Sequence, residues 1–217
     1  MRDHFDHRVL STQALDFIRA CQSSVDCHLG GGTALSGAWL SHRLSRDIDL
    51  FCHDSVQHRE LVAELPHLAR AVGATCKVVR DGRHHVRATL HLGDQSTELD
   101  IVFEPARDLE APPPPIDGVT VESLTDLRAS KLTCLLSRAE PRDLVDVLFL
   151  DRSGYPPERD LPLAIQKDTG MDPGILAWLL TDFPVQPLPQ MLIPLSADQL
   201  SSYRDELAER LRKLSLP

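Results

Sequence analysis

The chain has 217 residues, of which 42% are hydrophobic and 25% charged, with a net charge of −9 at neutral pH. That balance is globular, and the length allows one larger domain or two small ones around a real core. Residues 1–105 carry 11 basic and 14 acidic side chains and residues 106–217 carry 12 and 18, so neither half is a basic module built for general, salt-driven nucleic-acid binding, although a local patch still suits one phosphate-rich substrate.

Taken in chain order, "STQALDFIRACQ" spaces Ala14, Phe17, Ile18 and Cys21 at helical intervals, with Ser11 as N-cap. "DCHLGGG" reads as a short strand ending in a glycine turn. "TALSGAWLSHRL" follows as a helix that Gly37 weakens. "DIDLFCH" is a strand, and 56–72 is a helix that Pro66 is expected to kink or to end half-way. "TCKVVRDG", "HHVRATLHL" and "STELDIVFE" are spaced as strands between turn signals and predict an antiparallel meander. The run "EPARDLEAPPPPIDG", 104–118, favours an extended connector. Beyond it the pattern is helical at 122–137, 141–151, 158–168, 173–182 and 197–213. Trp39 and Trp178 are assigned to core or interface, and the stretch "ILAWLL" to helix core.

No stretch approaches the roughly 18 apolar residues of a membrane span. The start "MRDHFDHRVL" is too polar for a signal peptide. A cytoplasmic protein without membrane partners is expected. Five cysteines without a CxxC pair suggest reduced thiols, mostly in the core, rather than disulfides or zinc. His84, His85 and His91 are not read as a metal site, because adjacent strand residues face opposite sides.

"SRDIDLF" is the unusual stretch. Residues two apart on a strand share a face, so Asp47 and Asp49 stand side by side while Ile48 and Leu50 turn the other way. Two short carboxylates at this spacing suit a divalent cation with hard oxygen ligands, Mg2+ or Mn2+, whose shell substrate phosphates complete. A two-metal arrangement calls for a third acid, and Asp100 interrupts the apolar "LDIVF" between Leu99 and Ile101. Gly31, Gly32 and Thr33 precede a helix, where a bare backbone and free amides favour a phosphate. Lys131 is a lone cation in line with Leu124, Leu127 and Leu135. Asp143 and Asp146 read most simply as early-turn helix acids.

"LGGGTALSGAWLSHRLSRDIDLF" resembles the opening motif of the AbiEii-type nucleotidyltransferase toxins of type IV toxin–antitoxin and phage-exclusion systems: a Gly-Gly-Thr turn, a helix, His-Arg, Ser, then Asp-hydrophobic-Asp. Gly31, Gly32, Thr33, His42, Arg43, Ser45, Asp47 and Asp49 fit that pattern. "ASKLTCLLSRAEPRDLVDVLFL" resembles the second family region through Lys131, Arg142, Asp143 and Asp146, with Val145 in place of the usual aromatic. The resemblance covers about residues 25–151.

It implies an α+β nucleotidyltransferase fold, with a mixed sheet and flanking helices followed by a helical C-terminal region. The expected domains are a catalytic 1–105, a connector 106–118 and a helical 119–217. It implies transfer of a nucleoside monophosphate from a nucleoside triphosphate to an acceptor, the 3′ end of tRNA or another RNA, by a toxin restrained by an antitoxin. Under it Asp47, Asp49 and Asp100 hold metal, and Asp100 helps deprotonate the acceptor. Gly31, Gly32, Thr33, Arg43, Ser45 and Lys131 meet the nucleotide, and Asp146 orients Lys131 or the acceptor. Arg46 joins Arg43 in offsetting phosphate charge. A small-molecule nucleotidyltransferase of the antibiotic-modifying kind uses the same acids and is the alternative, favoured by the acidity of the second half. A catalytically idle nucleotide- or protein-binding module is the other.

Overall fold

The computed structural model describes residues 3–215. They divide into two compact units, Met1–Ser123 and Leu124–Pro217. The proline run therefore lies inside the first unit.

The first unit is a five-stranded mixed sheet with helices. Helix α1 (Thr12–Ser24) is capped by Ser11, whose hydroxyl accepts from the Ala14 amide. Strand β1 (His28–Leu29) leads into α2 (Gly31–Ala34), which runs on as a π-helical stretch, Leu35–Leu40. Within that stretch the Gly37 carbonyl accepts from the Asp6 amide, and a Cβ at Gly37 would lie 2.9 Å from the Phe5 ring, so glycine lets the N-terminal segment pack closely.

Strand β2 (Ile48–Cys52) is followed by α3 (Ser55–Ala71), whose cap Asp54 accepts from the amides of Val56 and Gln57. Of the two outcomes expected of Pro66, the helix does not end there, and α3 continues through it. Pro66 lies on the exposed side of the helix, where water can meet the carbonyl that loses its donor. Strands β3 (Thr75–Asp81), β4 (His85–Leu92) and β5 (Gln95–Phe103) complete the sheet, in the order β1-β2-β5-β4-β3. They form the expected antiparallel meander, while β2 pairs with β5 in parallel.

This register divides the sheet into two chemically different faces. Ile48, Leu50, Leu99 and Ile101 are fully buried on the face that receives α3, which in turn packs on α1. Asp49 and Asp100 are direct register partners and share the other face.

The second unit is helical: α4 (Leu124–Ser137), α5 (Pro141–Arg152), α6 (Pro157–Lys167), α7 (Pro173–Leu180) and α8 (Ala197–Ser215). Each helix falls within two residues of its expected span. Leu176, Ala177 and Leu180 form the buried side of α7, but Trp178 is 73% exposed and not a core residue. One turn of an eight-residue helix cannot bury all sides of a wholly apolar segment.

Candidate active site

Asp47 sits just before β2, Asp49 within it and Asp100 beside it on β5. The glycine turn closes on Asp49 from the chain side. The Gly30 amide donates to the Asp49 carbonyl at 2.9 Å, and Thr33 Oγ1 donates to the Asp47 carbonyl. Gly31 has φ +66°, and a Cβ there would fall 2.0 Å from Asp49 Oδ2. Only glycine fits both the left-handed backbone and that space. A Cβ at Gly32 would meet Arg43 Nη2 at 2.5 Å and Ser45 Oγ at 2.9 Å. Six of the sequence-predicted residues, Gly31, Gly32, Thr33, Arg43, Ser45 and Asp49, thus form one packed group. Arg43 is buried and also donates to the Leu44 carbonyl at 3.0 Å.

Asp100 is 8% exposed and strongly held. Arg87, its register partner on β4, donates from Nε to Oδ1 at 2.9 Å and from Nη2 to Oδ2 at 3.0 Å. His85 Nε2 lies 2.8 Å from Oδ1. Burial pushes the Asp100 carboxyl up, but the hydrogen bonds and charges of Arg87 and His85 outweigh burial and hold it below the ordinary carboxylate range. The same bond raises Arg87, with a smaller contribution from Asp47. Arg87 and His85 were not anticipated from sequence. The alternation in "HHVRATLHL" puts them on one strand face, but only the register shows that face to be the one Asp100 occupies.

The donors fit a magnesium-like ion. Asp47 and Asp49 are short, hard-oxygen ligands beside a glycine turn whose backbone a phosphate can approach. Asp100 fits by exchange, since both of its oxygens already carry protein hydrogen bonds.

In the second unit, Lys131 is buried at 3% exposure. Its Nζ lies 2.7 Å from Asp146 Oδ2 and 3.4 Å from Asp143 Oδ1, and Arg138 grips Asp143 at 2.8 and 2.9 Å. Asp143, an acid of the first turn of α5 as expected, and Asp146 are both fully buried. Lys131 and Asp146 thus form a buried ion pair.

A model of the nucleotidyltransferase AbiEii toxins of type IV toxin–antitoxin systems matches residues 14–215. The chain belongs to the AbiEii nucleotidyltransferase toxin family. The match extends well beyond the two motifs, through the last helix, so the helical unit is part of the family body. Among solved structures, JHP933 from Helicobacter pylori is 22% identical at a TM-score of 0.56, with 95% of this chain and 96% of that one covered. The nucleotidyltransferase toxin MenT4 from Mycobacterium tuberculosis is 17% identical at a TM-score of 0.56, with 92% and 82% covered. At these identities the likeness is one of fold. No curated protein matches the sequence. The chain is thus a nucleotidyltransferase of a toxin family, which implies a nucleotide substrate and an antitoxin partner. No helix among the described residues is long and apolar enough to cross a membrane.

Proposed function

We propose that this AbiEii protein transfers a nucleoside monophosphate to RNA, with the 3′ end of tRNA as the leading acceptor, and that the transfer depends on Mg2+ or Mn2+ in the cytoplasm. The observation that carries the reading is the register pair Asp49–Asp100 with the Gly31–Gly32 turn packed against Asp49. Carboxylates and a bare phosphate-approachable backbone meet at one sheet face. In the reaction, the acceptor hydroxyl oxygen bonds to the α-phosphorus, the bond to pyrophosphate breaks, and the hydroxyl proton leaves to solvent or a carboxylate. A divalent cation, when bound, neutralises charge on the triphosphate and its transition state.

Asp47 and Asp49 are assigned to hold that cation, with Asp100 joining them. Gly31, Gly32 and Thr33 present backbone to the phosphates, and Arg43 and Ser45 fix the turn from beneath while Arg43 adds positive charge. Lys131 is assigned to the nucleotide as a point charge, with Asp146 orienting it, a role that their 2.7 Å contact supports. Asp100 acts as a fixed negative charge more than as a base, because Arg87 and His85 stabilise its ionised form.

Internal ion pairs weaken the argument from the acidity of the second half for a cationic small-molecule acceptor. Five of its acids are matched internally: Asp126 by Lys167, Asp143 by Arg138, Asp146 by Lys131, Asp151 by Arg210 and Asp160 by Arg128. The test is incubation of the purified protein with Mg2+, each labelled triphosphate in turn, and total cellular RNA. Label in a tRNA-sized band supports the reading and names the nucleotide. Pyrophosphate released only when a small-molecule acceptor is added, with no label entering RNA, contradicts the RNA assignment. Saturable nucleotide binding without any transfer makes the chain an idle module.

A further inference from the structure

A second cluster of ligating side chains lies on the same face of β2, away from the three acids. His28, His53 and Asp108 each offer a ligand atom, and these atoms all lie within 4.8 Å of one another. The chain brings them from three places. His28 faces Phe51 across the antiparallel β1·β2 pair, and His53 stands two residues beyond Phe51, so the imidazoles are diagonal neighbours with centroids 5.3 Å apart. Phe51 stacks on His28 at 5.6 Å and 11°, which orients that ring. Asp108 comes from the segment that leads into the proline run.

The hydrogen bonds of His53 reveal the chemistry. Its Nδ1 is 2.8 Å from the Glu104 carbonyl oxygen, which can only accept, so Nδ1 carries a hydrogen. Nε2 lies 3.1 Å from the Asp108 carboxylate, to which it donates when the ring carries its second proton, and without that proton it offers a lone pair to a cation. An imidazole nitrogen and a carboxylate oxygen thus meet beside a second imidazole, an arrangement in which a metal ion can take the place of the shared proton. A histidine anchored through its far nitrogen to a backbone carbonyl is the usual outer support of a zinc ligand. Two imidazoles and a carboxylate, with water in the fourth position, are a recognised zinc donor set, whereas magnesium prefers oxygen alone.

We propose that His28, His53 and Asp108 bind one divalent transition-metal ion of the zinc class, separate from the ion held by Asp47 and Asp49, and that it staples the proline-rich segment to the end of β2. Tetrahedral zinc with bonds of about 2.0–2.1 Å places its ligands roughly 3.4 Å apart, so loading draws the three atoms together by rotamer and loop adjustment. The metal stabilises the chain by mass action, since it binds the folded arrangement.

The test uses the full chain, stripped with a chelator and titrated with zinc chloride alone in excess Mg2+. The expected result is one zinc per chain with micromolar or tighter affinity and a rise in Tm on loading. His53→Ala and Asp108→Asn should lose that saturable binding while circular dichroism shows them folded, and Asp49→Asn should keep it. Asp108→Asn alters one atom of a surface segment, which keeps the test independent of folding. No saturable zinc binding by the folded wild type overturns the proposal. So does binding that both cluster variants retain, or binding that Asp49→Asn abolishes, which would place the zinc at the catalytic acids.

Discussion

Arg87 grips Asp100 with two hydrogen bonds of 2.9 and 3.0 Å across the β4·β5 ladder. Three acids at one sheet face repel one another in the absence of cations. Arg87 supplies a protein-borne cation to the most buried of them, and the positive charge of Arg87 is itself reinforced by Asp47. The sheet can therefore fold with its acids in place before any metal arrives.

Removal of this clamp has a pH signature. Asp100 has a folded pKa below its unfolded value, so its contribution to stability is present above about pH 4 and fades as pH falls through the folded pKa. Arg87→Ala should cost about 1–3 kcal/mol at pH 7, in line with a charged hydrogen-bonded pair. In urea unfolding, the gap between variant and wild type should narrow below pH 4. A gap independent of pH would mean that packing of the arginine stem, not its charge, carries the effect.

The glycine turn predicts a graded series. Gly31→Ala combines a left-handed backbone, worth about 1–2 kcal/mol, with a Cβ 2.0 Å from Asp49 Oδ2. It should lower stability by more than 2 kcal/mol, as estimated from that strain plus overpacking, and displace the carboxylate, so transfer is lost as well. Gly93→Ala has φ +58° but nothing within 4 Å, and should show the strain alone with activity intact. Thermal unfolding and transfer assays on both variants check this; equal losses would contradict it.

Lys131 is a structural cation whatever else it does. Lys131→Ala leaves Asp146, fully buried, without its 2.7 Å ammonium and should destabilise the chain by about 3–5 kcal/mol. Arg138→Ala removes a side chain that is 42% exposed and should cost less. Denaturant midpoints rank the two. If Lys131→Ala proves as stable as wild type, its burial in the ion cluster is not what holds α4 and α5 in place.

Much of this was legible in the residues, and for identifiable reasons. The alternation of Asp47 and Asp49 with Ile48 and Leu50 needs only the two-residue strand period, and the Gly31–Thr33 turn is a local signal. The helices of the second unit show in their spacing. What local pattern cannot supply is register and partner choice. Arg87 looks like any exposed strand arginine until β4 aligns with β5, and Asp143 and Asp146 look like ordinary early-turn acids until Lys131 and Arg138 are folded against them. The exposure of Trp178 and the passage of α3 through Pro66 depend on which side of a helix meets the core. His28, His53 and Asp108 are drawn together by the β1·β2 register and a loop return, which no sequence spacing announces.

The most direct measurement is the rate of pyrophosphate release from a nucleoside triphosphate in the presence of RNA and saturating Mg2+, for wild type and Asp49→Asn, with thermal unfolding of both. The variant should keep its Tm, or gain slightly from relieved repulsion, and lose turnover by more than the ~10–100-fold typical of removing an outer partner of a metal site. Turnover by a folded Asp49→Asn protein within a few-fold of wild type would contradict the assignment of this carboxylate to the catalytic metal.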